Sequence, residues 1–274
     1  MGGQVRIGEH EIGSGRCFII AEVGLAHDGS LQAAHAYIDA VSKRGVDAVK
    51  FQCHLGDTVS EWRVEPFWGQ ETRQGYWKRT DFVTSDWVDL ANHAAMVGIE
   101  FLCSPFSARA VEMLKELVPA WKIPSGKIAD AEIREAVRGT GKPVIVSTGL
   151  ATSEEMKLWP SAVRLQCTTM YPCPPEYVGL GAVRDCAGLS DHSGTIYPGI
   201  AAAALGAEIL EVHVCFSKEQ GGFDAYASLD MGQLGELVRG VRFIEKAMNP
   251  VDKDEIAQEL HRERALFMGE GGKK

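Results

Sequence analysis

Two lysines interrupt apolar segments of this 274-residue sequence. Lys50 lies within AVKFQ and Lys122 within AWKI, where a buried ammonium group is costly unless an anion faces it. Serines end or follow segments of the same kind, namely Ser104, Ser125, Ser147 and Ser190. Cations and hydroxyl donors are groups that bind phosphate and carboxylate. These residues therefore predict a site for an anion that carries a phosphate and a carboxylate.

Histidines and carboxylates end other apolar segments. His192 follows GLSD and His213 follows ILEV, so at the ends of adjacent strands they could share one divalent metal ion. Asp224, in a glycine-rich loop, could be a third ligand or a base, and Glu22 ends the first apolar segment. Hydrogen-bonded structural histidines are the competing interpretation, and we favour the metal site.

Short apolar segments alternate with longer helix-like stretches along the whole chain. This rhythm is typical of βα units around a parallel sheet. The eight apolar segments are residues 18–23, 48–52, 100–104, 120–123, 144–148, 163–167, 188–191 and 209–214. Eight such units fit the size of about 250 residues that is usual for a (β/α)8 TIM barrel. We therefore predict an α/β fold of this type, with catalytic groups at the carboxyl ends of the strands.

Three regions follow from this interpretation. Residues 1–16 are predicted to form an N-terminal hairpin that caps the barrel, residues 17–250 the catalytic barrel, and residues 251–274 a helical tail. Residues 55–80 read as a long irregular loop over the active face. Expected helix N-caps are Thr84-Ser85-Asp86, Ser107, Asp130 and Thr152-Ser153, and expected helix ends are Gly45, Gly98, Gly141 and Gly206.

The composition excludes several classes of protein. The sequence is 45% hydrophobic and 24% charged, which is typical of a soluble globular protein. A net charge of −9 argues against nucleic acid or an acidic membrane as a partner. Seven scattered cysteines without a CxxC pair suit a reducing compartment. With no signal peptide and no long apolar run, we expect a cytoplasmic protein.

Eight segments of the chain resemble, in order, the sialic acid synthase family. They are IIAEVGLAHDGS (19–30), DAVKFQ (47–52), GIEFLCSPFS (98–107), WKIPSGKIAD (121–130), KPVIVSTGLAT (142–152), LQCTTMYPCPPEYVGL (165–180), GLSDHSG (188–194) and ALGAEILEVHV (204–214). The resemblance implies a (β/α)8 barrel that joins C3 of phosphoenolpyruvate to a sugar aldehyde and releases phosphate. The product is a 3-deoxy-2-keto, nonulosonic-type acid.

The resemblance also implies roles for individual residues. The phosphoenolpyruvate site would comprise Lys50, Ser104, Lys122, Ser125, Ser147 and Ser190. His192 and His213 would hold a divalent ion, commonly Mn2+, with Mg2+ or Co2+ as alternatives. Glu22 would face the acceptor sugar, and Thr169, Tyr171 and Asp224 fall at further active-site positions. The resemblance implies a homodimer.

The chain also departs from the family pattern. Lys127 stands where the family often has glutamate, which reverses the sign of charge in the acceptor pocket. The sequence stops before the small antifreeze-like domain that typical members carry. Either the natural protein lacks that domain or this sequence is a piece of a longer one. If the domain is naturally missing, its absence together with Lys127 predicts an acceptor other than N-acetylmannosamine, one with a phosphate or a carboxylate. Two alternatives remain: an enzyme like 3-deoxy-octulosonate 8-phosphate synthase with a phosphorylated acceptor, and a non-catalytic barrel that binds phosphoenolpyruvate or sugar.

Overall fold

Eight parallel strands surround the centre of the molecule in a computed structural model that describes residues 5–56, 66–68 and 71–268. They are β1 (Phe18–Gly24), β2 (Ala48–Cys53), β3 (Glu100–Pro105), β4 (Trp121–Ile123), β5 (Val144–Ser147), β6 (Val163–Cys167), β7 (Gly188–Asp191) and β8 (Ile209–His213). The hydrogen-bonded ladder runs β3-β2-β1-β8-β7-β6-β5-β4, and β3 lies beside β4 across the remaining seam. The predicted (β/α)8 barrel is confirmed, with every strand within one residue of its expected bounds.

The barrel interior is apolar at one end and polar at the other. Side chains alternate along a strand, so Phe18, Ile20 and Glu22 of β1 point to the same side. The inner side chains near the strand starts form one apolar cluster, and the polar residues occupy the strand ends. Ile7 and Ile12 of the N-terminal segment join this cluster at the bottom of the barrel. The same alternation therefore builds a hydrophobic floor and a polar mouth.

Helices cover the outside of the barrel. They are α1 (Leu31–Ser42), α2 (Arg73–Thr80), α3 (Thr84–Met96), α4 (Ala108–Leu114), α5 (Ala131–Thr140), α6 (Ser153–Met156), α7 (Tyr197–Ala204), α8 (Met231–Ala247), α9 (Lys253–Glu259) and α10 (His261–Met268). Residues Arg6–Ile7 pair antiparallel with His10–Glu11 in front of β1. No helix among the described residues is long and apolar enough to cross a membrane.

The helix-end predictions were mostly correct. Ser107, Asp130 and Thr152 each accept a backbone N–H of the first turn, as N-caps do. The predicted cap of α3 is wrong, because Val83 is its N-cap and the Asp86 carboxylate accepts the Val83 N–H. All four predicted helix-ending glycines have positive φ, from 67° to 92°.

The prediction of an irregular loop for residues 55–80 is also wrong in part. Residues 57–65 and 69–70 lie outside the described residues. The rest contains a short hairpin, Pro66–Trp68 with Glu71–Thr72, followed by helix α2. The Thr72 hydroxyl caps α2, and Arg79 at its end pairs with Glu71 at 3.1 Å and Asp28 at 2.7 Å. These polar contacts stabilise α2. Its sequence has little of the apolar periodicity from which a helix is predicted.

Asp47 contacts three parts of the chain at the bottom of the barrel. Its carboxylate accepts the Ile19 N–H at 2.8 Å and pairs with Arg16 at 2.7 Å and Arg242 of α8 at 2.6 Å. The Asp47 side chain is buried. It therefore connects the N-terminal segment and β1 to the last barrel helix.

Replacing Asp47 by alanine should lower the free energy of unfolding by about 2–3 kcal/mol, because the buried Ile19 N–H loses its acceptor and the partly buried Arg242 loses one of its two carboxylates. Urea unfolding measures this change. Glu9→Ala removes a carboxylate that pairs with Arg6 while 91% exposed, and should change stability by less than about 0.5 kcal/mol. Equal effects of the two substitutions would contradict this role of Asp47.

His27, after β1, is a buried imidazole that stays neutral. Its ring stacks on Phe82 at 4.6 Å, its Nδ1 accepts the Gly29 N–H at 3.1 Å, and burial lowers its pKa to about 4. The unfolded chain binds a proton near pH 6.5, whereas the folded chain binds it only near pH 4. Stability should therefore fall as the pH drops through this window.

His27→Asn keeps an acceptor for Gly29 and removes the titrating ring. Between pH 7 and pH 4.5 the variant should lose about 2–3 kcal/mol less stability than the wild type. Urea unfolding at both pH values gives the two losses. Parallel pH profiles for the two proteins would show that His27 does not contribute to acid unfolding.

Candidate functional site

Lys50 lies at the centre of the polar end of the barrel. Its Nζ lies 2.7 Å from Glu22 Oε2 on β1 and donates to Ser104 Oγ on β3 at 2.9 Å. It also lies 3.6 Å from Glu211 Oε2 on β8. All four side chains are buried. Strands that are adjacent in the barrel, but distant in sequence, thus bring one lysine, one serine and two carboxylates together.

Lys122 reaches the same carboxylate from the other side of the barrel. Its Nζ donates to Ser147 Oγ at 2.7 Å and lies 3.3 Å from Glu211 Oε1. Ser190 Oγ donates to the same Glu211 oxygen at 2.8 Å. The two lysines therefore share one internal anion, Glu211, and each has its own serine partner.

Burial and charge act in opposite directions on these groups. Burial alone would lower the pKa of Lys50, but Glu211 and Glu22 outweigh it, and the pKa is raised. Burial lowers the pKa of Lys122, and Glu211 offsets only part of that effect. Burial would raise the pKa of Glu211, but Lys122 and Lys50 hold it well below its usual range. An external anion that enters would compete with Glu211 for both ammonium groups.

His192 and His213 lie side by side at the ends of β7 and β8, with ring centroids 5.1 Å apart. His192 Nδ1 donates to the Thr168 carbonyl at 3.0 Å, so Nε2 is the acceptor for the Tyr171 hydroxyl at 3.0 Å. Burial lowers the pKa of both imidazoles, that of His192 to about 4. Both rings are therefore neutral at pH 7, the form that binds a metal ion.

The histidine pair offers part of a metal shell. The Nδ1 bond of His192 to a backbone carbonyl is the usual support of a ligating imidazole. His213 Nδ1 lies 3.6 Å from Asp224 Oδ2. Among the described residues, no three or more His, Cys, Asp or Glu side chains are arranged to hold a metal ion. The donors that could hold a divalent ion here are two neutral imidazoles with the Asp224 carboxylate nearby, and water or substrate would fill the other positions.

Two carboxylates and an amide surround Gly24, which has a φ of +58°. A methyl group at this glycine would lie 3.2 Å from Gln52 Nε2, 3.4 Å from Glu22 Oε1 and 3.6 Å from Asp224 Oδ2. Gln52 Nε2 also donates to Glu22 Oε1 at 2.8 Å. Burial, and then the nearby Glu22, raise the pKa of Asp224 to about 6. The absence of a side chain at Gly24 leaves space beside these polar groups.

The remaining predicted residues lie on loops at the same end of the barrel. Ser125, after β4, and Thr169, after β6, have their hydroxyls 2.9 Å apart. Lys127 Nζ donates to Asp130 Oδ2, the N-cap of α5, at 3.1 Å, so part of its charge is neutralised. Lys127 still contributes to the low pKa of His54, whose largest cause is burial. This lysine therefore adds positive potential toward the end of β2.

Gln52 and Glu211 lie within the predicted strand segments 48–52 and 209–214, but the sequence pattern assigned them no role. In the structure Glu211 contacts both lysines, and Gln52 contacts Glu22. The signal for Glu211 was a carboxylate inside the apolar segment ILEVHV, the same kind of signal that singled out Lys50 and Lys122. Two buried cations require a buried anion, and this residue supplies it.

The chain is similar in sequence and fold to several known proteins. The N-acetylneuraminate-9-phosphate synthase of Homo sapiens is 34% identical over 268 residues, covering 89% of this chain and 74% of that protein. The pseudaminic acid synthase of Campylobacter jejuni is 31% identical, covering 93% of this chain and 84% of that protein. A crystal structure of N-acetylneuraminic acid synthetase from Leptospira borgpetersenii, in complex with citrate, has a TM-score of 0.83, 27% identity and 98% coverage of both chains.

The family model called NeuB family matches residues 37–253, which include every barrel strand except β1. That match covers more than half of the chain. The chain in turn covers 74% and 84% of the two relatives named above. The chain therefore belongs to the NeuB family.

Proposed function

We propose that this protein is a condensing synthase that joins C3 of phosphoenolpyruvate to the aldehyde carbon of a sugar and releases inorganic phosphate. The product is a 3-deoxy-2-keto acid of the nonulosonic type. The observation that carries the proposal is the pair of buried lysines, each with a serine partner, that share Glu211. The similarity of the chain to an N-acetylneuraminate-9-phosphate synthase and a pseudaminic acid synthase supports this proposal.

Phosphoenolpyruvate carries two anionic groups, a phosphate and a carboxylate. Lys50 with Ser104 and Lys122 with Ser147 offer two cation and hydroxyl pairs on either side of Glu211. Ser190, which donates to Glu211, and Ser125, whose hydroxyl contacts that of Thr169, supply further hydroxyl donors. Binding would replace part of the contact between the lysines and Glu211 by contacts with the substrate anion. Fixed donors in a water-poor site stabilise charge more strongly than they would in water.

The reaction balances with the groups present. The C2–C3 double bond supplies the electron pair that forms the new bond from C3 to the aldehyde carbon, and C2 becomes positively charged. Water then adds to C2, and the C2–O bond of the tetrahedral intermediate breaks to release phosphate. One proton of the water is transferred to the aldehyde oxygen, and the second leaves with the phosphate as the C2 hydroxyl becomes the keto group. Glu22 and Asp224, the carboxylates beside Gly24, are the groups that we propose for these transfers.

His192 and His213 would hold a divalent ion, with Mn2+ as the first choice and Mg2+ or Co2+ as alternatives. Such an ion polarises an aldehyde oxygen and orients the acceptor when it is bound. Tyr171, whose hydroxyl donates to His192 Nε2, and Thr169 line the same end of the barrel and are proposed to contact the acceptor. Lys127 supports an acceptor with a phosphate or carboxylate, although its contact with Asp130 offsets part of its charge.

Neither alternative from the sequence is favoured. The curated relatives cited above are synthases of sialic-type acids rather than of octulosonate 8-phosphate. A barrel kept for binding alone would tolerate damage to its polar groups. Both lysines, both histidines and Glu22 are instead buried and paired in the polar end of the barrel.

Phosphate release from phosphoenolpyruvate in the presence of Mn2+ tests the proposal directly. The wild type should release phosphate only with an acceptor, over a panel of free and phosphorylated aldoses and amino sugars. Lys122→Met should lower kcat/KM by at least about 10²–10³-fold, since it removes a fixed cation from the transition state. His213→Ala should abolish acceptor-dependent release. Lys157→Met is the matched control because this lysine is 69% exposed on α6's flank and should leave the rate unchanged.

Release of phosphate without any acceptor, or equal rates for Lys122→Met and Lys157→Met, would contradict the proposed synthase. Binding of phosphoenolpyruvate with no turnover on any acceptor would favour the binding-only barrel. The panel also separates phosphorylated from free sugars, so the same assay tests the inference drawn from Lys127.

Glu211→Gln should separate stability from anion binding. The amide keeps an acceptor for Ser190 but leaves buried Lys122 without an anion and Lys50 with Glu22 alone, so the free energy of unfolding without ligand should fall by about 3 kcal/mol. Phosphoenolpyruvate should then raise Tm more in the variant than in the wild type, since it supplies the missing charge. Differential scanning calorimetry measures both effects.

Glu135→Gln, in a pair with Arg138 that is more than half exposed, is the control and should change neither quantity. A Glu211→Gln protein as stable as the wild type would show that Glu211 does not neutralise the lysines.

A further inference from the structure

A second pair of histidines lies outside the barrel, where α1 packs against α3. Each helix carries one histidine and one aspartate four residues apart: His35 and Asp39 on α1, Asp89 and His93 on α3. Residues at this spacing lie on the same face of a helix. The two faces meet, so the four side chains form one cluster, which we call the α1–α3 cluster.

The contacts in the α1–α3 cluster cross from one helix to the other. His35 Nε2 lies 3.0 Å from Asp89 Oδ2, and His93 Nε2 lies 3.1 Å from Asp39 Oδ1. The two remaining ring nitrogens, His35 Nδ1 and His93 Nδ1, face each other at 2.7 Å. Each imidazole is thus held at one nitrogen by a carboxylate and aimed at the other ring with its second nitrogen.

The protons of this arrangement can be counted. A carboxylate only accepts hydrogen bonds, so each Nε2 must carry the proton that it donates. A neutral imidazole has one N–H, and both Nδ1 atoms of neutral rings would therefore present lone pairs to each other. Two lone pairs at 2.7 Å repel unless a cation lies between them, either a shared proton or a metal ion.

We propose that the α1–α3 cluster is a binding site for a divalent transition ion that prefers imidazole, with Zn2+ as the representative. Imidazoles that bind zinc commonly donate their second N–H to a carboxylate, and both histidines of this cluster do so. Nitrogen ligands also select such ions over Mg2+ and Ca2+, which prefer oxygen. Two histidines bind the ion, and water fills the remaining positions.

The geometry requires only a small adjustment. Zinc binds imidazole nitrogen at about 2.0–2.1 Å, which in a tetrahedral site puts two nitrogens about 3.3 Å apart. The Nδ1 atoms would therefore separate by about 0.6 Å. The side chains of His35 and His93 are 26% and 17% exposed, so an ion reaches them from solvent. A bound ion would fasten α1 to α3, the helices on either side of β2, which carries Lys50.

The site shares no residue with the histidine pair at the mouth of the barrel, and its test does not depend on the proposed activity. Equilibrium dialysis of the untagged protein at 10–100 µM free Zn2+ measures the zinc bound per chain. The double variant His35→Gln with His93→Gln should bind one ion fewer per chain than the wild type. It should also lose a Zn2+-dependent rise in Tm of a few degrees. Mg2+ should produce no such rise.

Two further proteins separate this site from other sources of zinc binding. His213→Ala should retain the ion of the α1–α3 cluster. Any zinc that His213→Ala loses per chain should add to the one ion that the double variant loses. The double variant Asp39→Asn with Asp89→Asn keeps both imidazoles and should weaken zinc binding about 10–100-fold, the usual effect of removing carboxylate support. His261→Gln, an exposed histidine of α10, is the control and should bind as the wild type does.

A stoichiometry that is unchanged in His35→Gln with His93→Gln would overturn the proposal. The proposal would also be overturned if the His213→Ala variant bound no zinc at 100 µM free Zn2+. In that case a shared proton is the cation between the two rings.

Discussion

The pairing of two buried lysines with one buried carboxylate is the constraint on which the rest of the site depends. Each ammonium group costs several kcal/mol to take out of water, and only a nearby anion offsets that cost. Glu211 lies within 3.3–3.6 Å of both Nζ atoms, and Glu22 lies 2.7 Å from Lys50. The folded protein therefore keeps two positive charges in a place where an apolar interior would exclude them. Those charges are what an anionic substrate needs.

The barrel makes this pairing possible through its alternation of side chains. Along β8, Ile209 faces the apolar floor and Glu211 the layer above it. The same step separates Ala48 from Lys50 on β2 and Ile145 from Ser147 on β5. The floor excludes water from below, which strengthens every electrostatic contact in the layer above. The apolar layer thus stabilises the barrel, and the polar layer directly above it carries the charged groups of the site.

The order of groups at the mouth follows from the order of the strands. β1, β8 and β7 are neighbours in the ladder, so Glu22, His213 and His192 end side by side. The lysines come from β2 and β4 and follow the floor residues Ala48 and Ala120 by two positions, whereas His213 lies one alternation step beyond Glu211 on β8. An anion held by the lysines would therefore lie below a group held by the histidines. This vertical order suits a reaction that joins an anionic donor to a second substrate.

Local sequence signals were enough to predict the barrel and most of its polar residues. Apolar segments bounded by turns located every strand within one residue, because the strands are buried on both sides. A charge inside an apolar segment identified Lys50 and Lys122 for the same reason. Helix α2 escaped prediction because an N-cap and the Arg79 ion pairs, rather than an apolar face, stabilise it. The N-cap of α3 was missed because Val83 has no side-chain acceptor of its own.

The sequence by itself determined which residues are buried and which of them carry charge, since both depend on the periodicity of neighbouring positions. Only the tertiary structure decided which charges meet. Glu211 comes 161 positions after Lys50 and 89 after Lys122, and no local pattern links them. His35 and His93 are likewise 58 positions apart and meet only because α1 packs against α3. Coulomb and hydrogen-bond energies depend on distances of a few ångströms, and the closure of the barrel sets those distances.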